Sequence, residues 1–508
     1  MIRRILIANR GEIALRVVRA CRDLGISPVV AHSEADRDSL PVRLADAGVA
    51  IGPAPARSSY LDQQAVIAAA KTSGCDAIHP GYGFLSENPE FAQAVERAGL
   101  VFIGPPAAAM HAVGDKVEAR RLMAKAGVPI IPGLEERSAD GEAITAFARR
   151  AGYPILIKAA AGGGGKGMRV VRSEAELQPA LRLARSEAQG AFGDDGVYAE
   201  KLLEGVRHVE IQVIADAHGH AVHLGERECS LQRRHQKLVE EAPSLAVTPD
   251  LRRRMGELAL LAVRASGYRN AGTVEFLLDR EGNPWFMEVN ARLQVEHPVT
   301  ELVTGIDLVR AQIEVAKGTP LSFRQEDISP RGWAIECRIL AEDPASGFHP
   351  CPGRVTALRL PAGPGVRVDT ALQAGDEISL HYDALVAKLL AWGRDRDEAI
   401  RRMRRALLEF QIAGIRTTIP FHVELMGRED FAAGRFDIAW VDRTLPDLTS
   451  KLEARGDEAV AAAVAAALFA FERSGADAAS VRPAPGPNPW AAAGRRAQMS
   501  GRLPKGWA

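Results

Sequence analysis

Residues 285–294 read WFMEVNARLQ, an alternation that suits an extended strand with two unlike faces. Trp285, Met287, Val289, Ala291 and Leu293 fall on one side, and Glu288, Asn290, Arg292 and Gln294 on the other. Just upstream, residues 273–278 (TVEFLL) form a second short strand, and the turn-rich DREGNP of 279–284 joins the two. A hairpin folded about the middle of that turn sets Glu275 opposite Glu288, with Cβ atoms roughly 5 Å apart. Like charges so placed repel, and a hard cation such as Mg²⁺ between them, with Asn290 alongside, accounts for the pattern. The alternative reading of the same residues is a solvated acidic strand face.

At 508 residues the chain has room for about three domains. Lys plus Arg and Asp plus Glu both total 64, a formal charge of zero. That balance argues against nucleic acid or a membrane surface as partner of the whole chain. Cys21, Cys75, Cys229, Cys337 and Cys351 are scattered without a CxxC pair, as fits reduced thiols and a cytoplasmic location. The N-terminal MIRRILIANRGEIAL lacks the apolar core of a signal peptide, and the longest apolar run, 459–471, is too short to span a bilayer.

The first hundred residues alternate strand and helix. Strands are expected at 4–8, 28–32, 75–79 and 100–103. Helices are expected on the Ile13, Val17, Cys21, Leu24 stripe, at 65–70 and at 91–98. That order predicts a doubly wound α/β domain with a parallel sheet. The turn after the first strand, Asn9-Arg10-Gly11-Glu12-Ile13, lacks G-x-G-x-x-G, so a hydride-transfer enzyme is a weak reading.

Residues 159–168 (AAAGGGGKGM) sit between strand-like 154–158 and 168–171. Four successive glycines, 162–165, lose much entropy on ordering, and a mobile flap closing bare N–H groups over phosphate oxygens explains them. It is not a Walker A loop, because Gly167 follows Lys166. A flexible linker is the bland alternative. Lys116 and Lys158 could neutralise phosphates. YAEKLL at 198–203 sets Glu200 beside Lys201, and HVEIQV at 208–213 places His208, Glu210 and Gln212 on one face. ERECSLQRRHQK, 226–237, reads either as an exposed basic loop or as an anion site offering Gln232, His235 and Lys237.

Taken together, IANRGEIALRVVRACRDLG, AIHPGYGFLSEN, FIGP, GDK, GYPILIKAAAGGGGKGMRVV, HVEIQV, ERECSLQRRHQK, AGTVEFL, FMEVNARLQVEHPVTE and ECRILAEDP resemble the biotin carboxylases in order and spacing over residues 1–446. The resemblance implies an N-terminal α/β domain at 1–114 and an ATP-grasp domain at 115–330, with a glycine-rich lid over about 131–204. A C-terminal α+β domain at 331–446 and an extension at 447–508 follow. It implies an ATP-dependent ligase that carboxylates protein-linked biotin with bicarbonate through carboxyphosphate, the first half-reaction of an acyl-CoA carboxylase.

Carried over motif by motif, Glu275, Glu288 and Asn290 would hold Mg²⁺ or Mn²⁺. Lys116, Lys158, Gly164, Gly165, Glu200, Lys201, Leu203, His208, Gln232 and His235 would surround ATP. Lys237, Arg292, Gln294 and the backbone of Val295 would take bicarbonate, with Glu296 as general base and Arg338 stabilising the biotin enolate. Strand alternation is expected to fail near Val295, where backbone and side chain are both used. Another ATP-grasp carboxylate ligase and a non-catalytic nucleotide-binding scaffold are the competing readings.

Beyond residue 446 an Ala-rich amphipathic helix is expected at 456–474, then a Pro-rich spacer at 482–489. This resembles the connector of larger acyl-CoA carboxylase α chains, without their Met-Lys-Met biotinyl site. The biotin carrier protein and carboxyltransferase are therefore expected on separate chains. A homodimer is expected by resemblance, although Pro364 replaces an aromatic residue common near the dimer contact of bacterial relatives.

Overall fold

A computed structural model describes residues 2–134, 141–159 and 168–452. The glycine flap with Gly164 and Gly165, the helix expected at 456–474 and the Pro-rich spacer lie outside the described residues. The described residues up to Thr449 belong to one compact unit.

The N-terminal strands β1 (Arg4–Ile7), β2 (Ser27–Ser33), β3 (Ala47–Gly52), β4 (Ala77–His79) and β5 (Val101–Phe102) form a parallel sheet in the order β3-β2-β1-β4-β5. Both its faces are covered: Leu6 points into one apolar cluster, Ile5 and Ile7 into another. The strand order reverses between β1 and β4, where open α/β sheets leave a crevice at their carboxyl ends. Asn9 ties the two loops there, its Nδ2 donating to the Pro80 carbonyl at 2.7 Å and the Tyr82 carbonyl at 2.8 Å.

A small antiparallel sheet follows, with β6 (Ile155–Ala159) between β7 (Arg169–Val171) and β8 (Val197–Lys201). The helices Gly141–Ala151 and Glu174–Phe192 pack on it around Ile144, Phe147, Leu177 and Leu181.

The largest element is an eight-stranded antiparallel sheet. It contains β9 (Arg207–Ala215), β10 (Ala221–Arg233), β11 (Gln236–Ala242), β12 (Asn270–Leu278), β13 (Pro284–Asn290) and β14 (Trp333–Leu340). Their order is β13-β12-β9-β10-β11-β14, continued by Leu385–Gly393 and Val366–Thr370. The sheet thus runs without a break through the boundary expected at residue 330. The polar stretch 226–237, open between a loop and an anion site, is the β10–β11 hairpin. It turns at Arg234 and His235, whose φ values are +48° and +65°. Polar density suggested solvent, yet Glu226 through Gln232 are buried.

Glu275 pairs with Glu288 as the turn symmetry predicted, but the register slips just beyond it, so that Phe276 faces Phe286. Met287 is the extra residue of a bulge. Trp285 and Met287 consequently leave the core face expected of them, and Phe286, 1 % exposed, replaces them against Phe276. Phe286→Ala should cost about 3–5 kcal/mol of stability, read from a shift of the denaturant midpoint. A loss under 1 kcal/mol would show that the bulged strand is not anchored there. The strand ends at Asn290, earlier than the break expected near Val295, and Leu293 enters the second apolar cluster.

Candidate active site

The registers of β13, β12, β9 and β10 align Glu288, Glu275, Glu210 and Arg227 in one row across the sheet. Three acids in file need cations, and Arg227 and Lys237 serve two of them, Glu210 and Glu275. Arg227 is fully buried and donates from Nε to Glu210 Oε1 at 2.5 Å. Its Nη atoms donate to Gln212, Thr300 and Thr273 at 2.6, 3.0 and 3.1 Å. Lys237 Nζ donates to Glu210 Oε2 at 2.6 Å, Glu275 Oε1 at 2.9 Å and Glu296 Oε1 at 2.6 Å. An ammonium has three N–H groups, and each has a carboxylate.

Burial alone would raise the Glu275 carboxyl, but Lys237 and His208 hold it well below the usual range. Glu275 Oε1 also accepts from Asn290 Nδ2 at 2.8 Å and Gln294 Nε2 at 3.1 Å, while His208 Nε2 lies 2.9 Å from Oε2. Burial opposes charge on His208, yet Glu275 lifts its pKa above that of an ordinary histidine.

At the other end of the row Glu288 is less well served. Its nearest cation is Lys116, 3.9 Å away, and its side chain remains 35 % exposed. Partial burial and the Glu275 charge push its carboxyl up. A half-open carboxylate with a distant counter-charge, opposite a second carboxylate and beside the Asn290 amide, is a hard-oxygen donor set that fits Mg²⁺ or Mn²⁺.

Past Asn290 the chain leaves the sheet. Arg292 Nε reaches Glu87 Oε2 at 3.0 Å, and its Nη1 donates to Gln294 Oε1 at 3.1 Å. Glu87 Oε1 also accepts the Ala291 N–H at 3.0 Å, so the N-terminal domain clamps this loop. The Val295 carbonyl accepts from Lys388, a fully buried lysine also paired with Glu12 at 2.9 Å. Any anion contact at Val295 would therefore use its N–H.

Glu296 stands just before the helix His297–Thr304, fully buried. Its Oε1 meets Lys237, and its Oε2 accepts from Arg338 Nη2 at 2.9 Å. Burial would raise this carboxyl, but Lys237, Arg338 and Arg227 together hold it far below the ordinary value, so it is ionised at neutral pH. Arg338 is anchored from the opposite side, where Nε donates to Glu240 Oε1 at 2.6 Å.

The expected nucleotide contacts form a second group. Glu200 on β8 accepts from Lys158 Nζ at 2.5 Å and from Arg120 Nη1 at 2.7 Å. The Lys201 side chain instead donates to the Gly152 and Tyr153 carbonyls at 3.0 and 3.1 Å, and its N–H donates to Pro132. That ammonium is thus tied to the turn that leads into β6. Leu203 is half-buried just after β8. Gln232 pairs with Lys237 across the β10–β11 hairpin, and His235 is exposed at its turn.

Glu87, Arg227, Glu240 and Lys388 also belong to this network, though no local spacing marks them. Glu87 lies in the FLSEN stretch, but its reach to Arg292 spans two domains. Arg227 and Glu240 were hidden by a register that local spacing does not encode.

Family models match three consecutive stretches. They are the biotin carboxylase N-terminal domain at residues 1–110, the carbamoyl-phosphate synthase L chain ATP-binding domain at 115–324, and the biotin carboxylase C-terminal domain at 336–443. Biotin carboxylase 1 of Bacillus subtilis is 52% identical over 443 residues, covering 87% of this chain and 98% of the relative. A crystal structure of a biotin carboxylase–beta-gamma-ATP complex from Campylobacter jejuni superposes with TM-score 0.85 at 46% identity, over 87% of this chain and 99% of that one. The biotin carboxylase domain dimer of the Hydrogenobacter thermophilus 2-oxoglutarate carboxylase, in complex with MgADP, ADP and bicarbonate, also gives TM-score 0.85. It is 44% identical over 88% of this chain and 99% of that one. With its three-domain order and a match that covers 98% of the Bacillus subtilis relative, this chain belongs to the biotin carboxylase family.

Proposed function

We propose that the chain is an ATP-dependent biotin carboxylase, transferring bicarbonate carbon to biotin on a separate carrier protein. The observation that carries the reading is Glu296, whose two oxygens meet Lys237 on one side and Arg338 on the other. One carboxylate thereby joins an anion-binding lysine to a guanidinium suited to a developing enolate.

Lys116 and Lys158 offset phosphate charge, with Glu200, itself held by Arg120, fixing Lys158 in place. Glu275, Glu288 and Asn290 would hold Mg²⁺ or Mn²⁺, which would neutralise charge on the phosphates, the main task in phosphoryl transfer. Arg292, Gln294, Lys237 and the Val295 N–H hold bicarbonate. Bound there, the anion competes with Glu296 for Lys237. Glu296 then becomes a better base and takes the bicarbonate proton as the oxygen attacks the γ-phosphorus and ADP leaves. The carboxyphosphate formed releases CO₂ and phosphate. Phosphate removes the ureido N–H proton, and that nitrogen attacks CO₂ to give carboxybiotin. Arg338, always protonated and planar, stabilises the charge on the ureido oxygen.

Bicarbonate-dependent ADP release, measured with and without free biotin, tests the reading. Stimulation by biotin is expected. Release driven by a different acid would point to another carboxylate ligase, and no release to a scaffold. Arg338→Ala should cut biotin-dependent turnover by about 10²–10³-fold while nucleotide affinity holds. Equal losses in both, by kinetics and titration calorimetry, would sink that role.

The Hydrogenobacter relative is described as a dimer and belongs to a 2-oxoglutarate carboxylase. A homodimer is the proposed assembly here, with the carboxyltransferase on a separate chain choosing the final acceptor. Among the described residues no helix is long and apolar enough to cross a membrane. The cytoplasm is the proposed location.

A further inference from the structure

Behind Arg338 lies a second acid that the reaction described above does not use. Strand β14 alternates, so Ala334, Glu336 and Arg338 share one face. The Ala334 end of that face packs with Ala242, Leu390, Val299 and Val303 in an apolar cluster. Glu336 pairs directly with Glu240 across β11 and β14, and with Leu390 on its other side. Both acids are fully buried.

Among the described residues, Glu336 is the one buried acid whose two carboxyl oxygens both lack a hydrogen-bond partner. Glu240 has a single orphan, Oε2, because Arg338 takes Oε1. The charged groups facing this pair are Lys388, Arg338, Glu296 and Lys237. None of these cations donates to Glu336: Lys388 is held by Glu12 and the Val295 carbonyl, Lys237 by its three carboxylates, and Arg338 by Glu240 Oε1 and Glu296. His297, on the helix above, is kept neutral by burial and by Lys388, Arg16 and Arg367.

Opposite an acid that already takes Arg338, a buried Glu336 with no hydrogen-bonded cation is favoured in its protonated form. A proton on Glu336 would supply the donor that Glu240 Oε2 lacks. Burial drives Glu336 well above the carboxylate range, and drives Glu240 up to about 7 although Arg338 opposes it.

We propose that Glu240 and Glu336 form a proton-sharing carboxyl pair that positions Arg338 for the biotin half of the reaction. Glu240 grips the guanidinium from behind, and protonated Glu336 occupies the Glu240 oxygen that Arg338 leaves free. The pair lets Glu240 bind Arg338 in one orientation while Glu296 holds it from the front. Both acids are positioning residues, and the inference rests on the assignment of Arg338 to biotin.

The test compares Glu336→Gln, Glu336→Leu and Arg338→Ala with the wild type. Glutamine keeps a donor toward Glu240, so Glu336→Gln should rescue turnover to within about threefold of wild type. Glu336→Leu strands the Glu240 oxygen and should raise the biotin KM roughly tenfold while the ATP KM stays put. The infrared spectrum of the wild type should contain a buried carboxylic-acid C=O band that Glu336→Gln removes. Absence of that band overturns the proposal even if the leucine variant does not fold. A glutamine variant as impaired as the leucine one, or ATP and biotin KM values rising together, overturns it as well. If Arg338→Ala spares biotin turnover, the assignment of Arg338 fails instead, and the infrared band still reports whether the pair exists.

Discussion

Glu296→Gln is expected to lower bicarbonate-dependent ADP release by about 10²–10⁴-fold, the range of a lost general base, and to leave nucleotide affinity nearly unchanged. The amide has nearly the shape of the carboxylate but cannot take a proton at neutral pH. Its two ends also fit badly between two cations. If the amide oxygen accepts from Lys237, the amide nitrogen turns an N–H donor toward Arg338, and the flipped amide turns it toward Lys237. Lys116 and Lys158 do not touch Glu296, which is why nucleotide binding should survive. A steep fall in ATP affinity measured by calorimetry would transfer Glu296 to the nucleotide site.

The same variant has a pH signature. The Glu296 carboxyl is depressed in the folded chain, so its ion pairs stabilise the fold above its unfolded value, ~4.3, and that stabilisation fades as pH falls through the folded value. Wild type should therefore exceed Glu296→Gln in stability at neutral pH and converge with it in acid. Denaturant midpoints across that range measure the convergence, and a gap that widens in acid contradicts the sign.

The part of the site written in local spacing was legible. Glu275 and Glu288 flank one short turn, and turn symmetry fixed their pairing. The bulge at Met287 was not, because Trp285, Phe286 and Met287 are all apolar and either phase of alternation satisfies a core. The N-terminal strand–helix alternation gave its parallel sheet for the same local reason. Stretch 226–237 hid a hairpin buried over residues 226–232, since its charges are neutralised by partners elsewhere in the chain: Arg252 for Glu226, Arg207 for Glu228, Glu210 for Arg227. Lys388 reaches Val295 across 93 residues and Glu87 reaches Arg292 across 205. No periodicity records such contacts, which exist only once sheet order is set.

Lys237→Met should be the most damaging single change, abolishing turnover and costing about 3–5 kcal/mol at neutral pH. It removes one cation from three carboxylates. Glu210 keeps Arg227 and Glu296 keeps Arg338, but Glu275 is left with neutral donors and His208. Lys237→Arg should not rescue it, because a planar fork cannot aim three N–H groups at three converging carboxylates. The pH dependence separates lost charge from lost packing. In the wild type Glu275 and Glu296 are held below their usual range, so their stabilisation is complete at neutral pH and lost in acid. In the variant the unpaired acids shift upward, and the strain they cause at neutral pH is relieved as they protonate. The stability gap should thus be widest near neutrality and shrink toward pH ~4–5, where unfolded carboxylates also take protons. A gap constant with pH would mean that the lysine stem, and not its charge, supports the site. Since all three of its N–H groups already serve protein carboxylates, bicarbonate must displace one of them to bind. Weakening a competitor should therefore tighten bicarbonate, and a Glu210→Gln variant with a lower bicarbonate KM would show that Lys237 is shared between the protein and its substrate.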